Sequence, residues 1–150
     1  MARFTIGALS PPAPQPGVHV AKIVGAREKI SEAGNTVLLM TAQFPQGEQL
    51  GFAVTFVERA AKLVAYFCRS LELELAAEQG SEVEIKPADV LGRYFYPIVE
   101  LDGEGTEAVP KITRFLSRSE AIAARPELAG VTLQLQAPRA LKALTGGGRL

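Results

Sequence analysis

The hydrophobic pattern of this chain reads as strands up to Phe56, alternating except where Thr36 to Phe44 is apolar throughout, as a helix with a three-to-four-residue period from Val57 to Leu71, and as strands again after Arg93. That double change of period sets the order of the elements, because a strand alternates its faces whereas a helix returns to one face each turn. Val18, Val20, Ile23, Val24 and Ile30 are interleaved with small or polar residues up to Ser31 and predict a long, bent first strand. The turn-rich Glu32-Ala33-Gly34-Asn35 closes it. Thr36 to Phe44 is apolar on both faces, and Pro45-Gln46-Gly47 turns the chain into a third strand whose Leu50, Phe52, Val54 and Phe56 share one side. Three antiparallel strands in succession make a meander.

Val57, Ala60, Ala61, Val64, Phe67, Cys68 and Leu71 then form one helical stripe, with Glu58, Arg59, Lys62 and Arg69 off it. Thr55 and Glu58 have the spacing of a capping box, which predicts a helix over Val57 to Leu71. Pro87 to Gly92 predicts a single helical turn opened by proline and closed by glycine. Arg93 to Leu101 and Val109 to Leu116 predict a hairpin with its tip at Asp102-Gly103-Glu104-Gly105. Three strands, one helix and two strands is the element order of the OB fold, so the expectation is a mainly β chain: a five-stranded OB-like barrel with one main helix plugging an end.

A chain of 150 residues has the size of one domain. Pro11, Pro12, Pro14 and Pro16 block both helix and ladder pairing, which makes residues 1–16 an arm, 17–118 the OB-like domain and 119–150 a C-terminal extension. In that extension Ala121 to Leu128 can form a short helix, and Gly146-Gly147-Gly148 predicts a loose end. The arm's prolines also interrupt any signal-peptide core, and no stretch approaches the ~20 apolar residues of a membrane span. With the single Cys68 unable to form an internal disulfide, these features predict a soluble protein of a bacterial or host cytoplasm, its oligomeric state left open.

Chemistry is scarce. His19 is the only histidine, so one copy of the chain builds no histidine triad or multi-histidine metal site, and Cys68 lies on the apolar stripe as an inert thiol. The acidic stretch Glu72, Glu74, Glu78, Glu82, Glu84 and Asp89 matches neither a calcium loop nor a paired-carboxylate site and reads as a solvated face. The glycines lack the context of a phosphate-binding loop. The chain is therefore expected to be non-enzymatic and to need no cofactor or metal.

A mixture of cations and aromatics on strands remains: Lys22, Arg27 and Lys29 on the first, Arg93, Tyr94 and Tyr96 on the fourth, Lys111 and Arg114 on the fifth. Single-stranded nucleic acid is held in this way, with cations on phosphates and flat side chains under bases. Sixteen basic residues balance sixteen acidic ones, so such binding must rest on local clustering and not on net charge. Tyr94 and Tyr96 alternate with Phe95; if Phe95 is core, both tyrosines face outward, either as a stacking platform or as a wet covering of the barrel.

Gly17-Val18-His19-Val20, Ser31-x-x-Gly34-Asn35 and Asp89-Val90-Leu91-Gly92-Arg93, in this order and spacing, resemble a phage family of formerly unknown function. The resemblance runs from about Pro16 to Arg118. It implies an OB-type single-stranded-DNA-binding protein of phage recombination and replication cassettes, one that protects a displaced strand or presents it to an annealing protein or recombinase. It implies no catalytic residue. One departure is the C-terminal stretch: Glu127 is the last acid, followed by Arg139, Lys142 and Arg149, so recruitment through an acidic tail is not expected, and a basic tail could add phosphate contacts. The alternative class is a structural or adaptor protein that binds a protein partner through its sheet.

Overall fold

A computed structural model describes residues 14–75, 85–105, 108–132 and 136–141. Most of the proline arm, three of the acidic residues (Glu78, Glu82 and Glu84), the triple glycine, Lys142 and Arg149 lie outside the described residues. The first predicted strand is a bent ribbon in two pieces, β1 (Gly17–Val18) and β2 (Ala21–Ile30), with a bulge between Ile23 and Gly25. β3 (Thr36–Gln43) and β4 (Gln49–Phe56) complete the meander. Its turns use left-handed glycines: Gly34 at φ 86° and Gly47 at φ 95°, where a side chain would be strained.

A single 3₁₀ turn at Glu58–Ala60 leads into helix α1 (Ala61–Ser70), so the helix starts four residues later than the stripe predicts. The capping box expected at Thr55 and Glu58 does not form. Thr55 is still paired with Val37 in the β3–β4 ladder, and Val57 is extended with no side-chain cap. Strand pairing takes Thr55 before it can reach a helix N-terminus. The box forms instead at Ser117: its Oγ accepts the Glu120 N–H at 3.2 Å, and Glu120 accepts the Ser117 N–H at 2.9 Å.

A short strand β5 (Leu73–Leu75) follows α1, and α2 (Pro87–Val90) is the predicted proline-opened turn. Gly92, at φ 84°, then donates to the Ile23 carbonyl at 2.7 Å and starts β6 (Tyr94–Asp102), which hairpins into β7 (Val109–Leu116). The extension folds as α3 (Arg118–Ala124), α4 (Leu128–Thr132) and a strand β8 (Arg139–Leu141) that pairs in parallel with β5.

β6 is the hub: it pairs with β1 and the start of β2 on one side and with β7 on the other, while β3 and β4 extend the sheet beyond β2. The connectivity is that of a mainly β, OB-like fold with one main helix. Among the described residues no backbone ladder joins β4 to β7. Side chains close that seam: Phe52 of β4 and Phe115 of β7 lie 5.9 Å apart, ringed by Phe67 of α1 and Phe95 of β6 at 5.1–6.4 Å. The four rings, with Ile23, Leu38, Val54, Leu71 and Val99, are the main core. At about 25 cal/mol per Å² of apolar surface, aromatic burial of this kind is what lets a sheet curl without a closing ladder.

A second, smaller cluster lies on the opposite side of β6. There Val20 and Tyr96 are buried against Ala121 of α3 and Leu128 of α4.

Candidate nucleic-acid interface

Residues directly opposite one another in a ladder point to the same side of the sheet. The register therefore defines one outer surface over β2, β3 and β4, built from four rows: Lys22–Gln43–Gln49, Gly25–Thr41–Gly51, Arg27–Leu39–Ala53 and Lys29–Val37–Thr55. Tyr94 of β6 joins the first row opposite Lys22. The bulge after Ile23 resets the alternation, which is why Lys22 and Gly25 both face outward although two residues, Ile23 and Val24, lie between them.

The floor of this surface is low. Gly25, Thr41, Gly51 and Ala53 surround a shallow groove of about 550 Å³ that Arg27 and Leu39 also line. Lys22, Arg27 and Lys29 are exposed along β2, and none makes an ion pair with a described residue. At ~3.3 Å per residue they span about 20 Å. None of the residues that the register places here is acidic. In a chain of zero net charge this is a local excess of three positive charges, in a groove open to solvent. The Lys22 Nζ sits 5.8 Å from the centre of the half-buried Tyr94 ring, beside a cleft of about 400 Å³ edged by Gln43, Phe44 and Pro45.

The other expected site residues lie elsewhere. Tyr96 does point away from Phe95, as alternation requires, but α3 and α4 cover that side and leave it 0% exposed. Its hydroxyl accepts from Arg118 Nε at 3.3 Å, its N–H donates to Ser70 Oγ at 2.8 Å, and burial pushes the phenol pKa up. Tyr96 is therefore a packing residue, and the expected two-tyrosine platform is reduced to Tyr94.

Arg93 is also structural. Its guanidinium donates to the Leu71, Glu72 and Ala137 carbonyls at 2.9, 3.4 and 2.7 Å, tying the end of α1 to the C-terminal segment. Glu72 ends that helix in the left-handed region at φ 59° and receives Arg118 and Gln136 on its carboxylate, each at 3.1 Å. Gln136 in turn accepts the Tyr94 N–H at 2.7 Å and donates to the Tyr94 carbonyl at 2.8 Å, so the extension holds Tyr94 as a neighbouring strand would. Arg139, counted in the basic tail, is paired with Asp89 at 3.0 Å.

Lys111 and Arg114 are exposed on β7, away from the β2–β4 surface; Lys111 is paired with Asp102 at 2.8 Å, and Arg114 lies near α1. Cys68 is buried, its thiol pushed up to about 12 by desolvation. His19 packs edge-on against Phe44 at 5.2 Å and bonds the Gln15 carbonyl, a packing role. Among the described residues no three metal-ligating side chains converge, and no helix is long and apolar enough to cross a membrane.

Two features escaped sequence reasoning. The small-residue floor is visible only once the ladders align Gly25, Thr41 and Gly51. Tyr66, 46% exposed on α1, had a signal: it is an aromatic off the apolar stripe, between Lys62 and Arg69 on the helix surface. Comparison of the chain with protein-family models and with curated proteins finds no match.

Proposed function

We propose that this chain is a non-enzymatic single-stranded-DNA-binding protein that lays its ligand across the outer surface of β2–β4, protecting or presenting the strand in replication or recombination of the phage type. The observation that carries the reading is the acid-free surface on which Lys22, Arg27 and Lys29 stand beside a floor of small residues, with Tyr94 at one end. Cations along a strand track phosphates, low side chains let a backbone come close, and one ring offers one stack. With a single ring on the surface, binding is mainly electrostatic and tolerant of sequence. An annealing protein or recombinase would be the partner that receives the strand.

Anisotropy of a fluorescent oligothymidylate, titrated over a range of salt, tests this. Three phosphate contacts predict a slope of log K against log salt of about −2 for a single strand, together with weaker binding to duplex. Equal affinity for duplex and single strand, or none for either at low salt, would sink the proposal. The second outcome would favour an adaptor whose protein partner covers the apolar centre of the same surface, Val37 and Leu39.

A further inference from the structure

A second groove lies where α1, β7 and α3 meet, with a volume of about 350 Å³, and Leu63, Tyr66, Arg114 and Glu120 line it. Its apolar part is open: Tyr66 is 46% and Leu63 39% exposed on a helix whose other face is buried in the core. Its charge is one-sided. Lys62 and Arg69 are the neighbours of Tyr66 one turn to either side, the Arg69 guanidinium lies 5.2 Å from the Tyr66 ring centre, and Arg114 stands across the groove. Against these three cations stands Glu120, already engaged: it accepts the Ser117 N–H at 2.9 Å and pairs with Arg69 at 2.9 Å. Arg114 makes no ion pair with a described residue.

An exposed ring flanked by cations suits a ligand that is flat at one end and anionic at the other. Position narrows the choice. Arg114 is next to Phe115, whose ring meets Phe52 of β4 across the seam between β4 and β7. A strand that leaves the β2–β4 surface over β4 therefore crosses that seam to reach Arg114 and then Tyr66. We propose that this groove is a second nucleotide subsite, with a base on Tyr66 and Leu63 and its phosphate on Arg114, so that longer single strands wrap from the sheet surface onto α1. This rests on the function proposed above. An acidic peptide with an aromatic end has similar chemistry but no such continuity with the cationic surface.

The test compares oligothymidylates of about six and about eighteen nucleotides, one near the lower end of the site sizes of OB folds and one beyond their upper end. Wild type is set against Tyr66→Ala, Tyr66→Phe and Arg114→Ala. Loss of one stack predicts about tenfold weaker binding of the long oligonucleotide to Tyr66→Ala, unchanged binding of the short one, and near wild-type behaviour of Tyr66→Phe. Arg114→Ala shows the same dependence on length and carries the test should Tyr66→Ala lower the melting temperature. Equal losses at both lengths, or none at either, would overturn the second subsite while leaving the sheet surface in place. So would capture of an acidic aromatic peptide by the groove with no change in oligonucleotide binding. Failure of wild type to bind either length would overturn both proposals.

Discussion

The outer side of this sheet is treated in two opposite ways. Over β1 and β6 it carries Val18, Val20, Tyr94 and Tyr96, and the C-terminal helices cover most of it with Ala121, Ile122 and Leu128. Over β2, β3 and β4 it carries cations, glycines and threonines, and no described element packs on it. Large apolar side chains left in water are a liability, so the first region recruits a cover. The second needs none, because most of its side chains are small, polar or charged and its larger apolar ones are limited to Val37 and Leu39. A sheet that is not covered on both sides keeps one surface for a ligand, and on this one the chain's balanced charges become one-sided.

The sharpest way to break this contrast is at Tyr96. Its side chain is fully buried between β6 and α3, so Tyr96→Ala is expected to cost about 3–5 kcal/mol, the range for deleting a large aromatic from a packed site. Tyr96→Phe removes only the hydroxyl that accepts from Arg118 and should cost about 1 kcal/mol. Urea denaturation measures both. Tyr96→Phe should bind oligonucleotide like wild type; if it binds distinctly more weakly at unchanged stability, the covered side takes part in binding and the contrast fails.

The open side should show the reverse pattern. Arg27 and Lys29 are exposed and make no ion pair with a described residue, so Arg27→Ala with Lys29→Ala is expected to change stability by no more than about 0.5 kcal/mol. Removing two phosphate contacts should flatten the single-strand salt slope by about 1.4 and weaken binding roughly tenfold at low salt. A parallel loss from Lys111→Ala would show instead that net charge, not placement, governs binding, since Lys111 lies on β7 and is already paired with Asp102.

The element order could be read from the sequence because period and turn chemistry agree: Gly34, Gly47 and Gly92 all stand where the chain needs a positive φ. The alternation around Phe95 was also sound. What it could not supply was the cover, because a strand's own residues say which side they take and nothing about what later chain packs there. The unbroken apolar run Tyr94-Phe95-Tyr96-Pro97-Ile98-Val99 held a hint, since strands covered on both sides lose their polar alternation. Arg93 was misread for a similar reason: the carbonyls that bind it come from Leu71, Glu72 and Ala137, far away in sequence. The β2–β4 surface depended on register, and a bulge between Ile23 and Gly25 shifts every later β2 residue to the other side.

The smallest change tests the floor of the open surface without touching a charge. Gly51 sits mid-strand in β4 opposite Thr41, and a Cβ built there meets only the Met40 carbonyl oxygen at 3.8 Å, an ordinary contact. Valine is therefore accommodated, and its preference for a strand should leave stability unchanged or raised by about 0.5–1 kcal/mol. The same side chain raises the groove floor between Thr41 and Ala53 and keeps a nucleic-acid backbone away from the sheet. Gly51→Val is thus expected to weaken oligonucleotide binding by about threefold while the salt slope stays near −2, because no phosphate contact is removed. A flattened slope would mean that the cations themselves are displaced. Unchanged affinity would mean that the ligand rides on Lys22, Arg27 and Lys29 above the floor, leaving the small residues with a role in sheet packing alone.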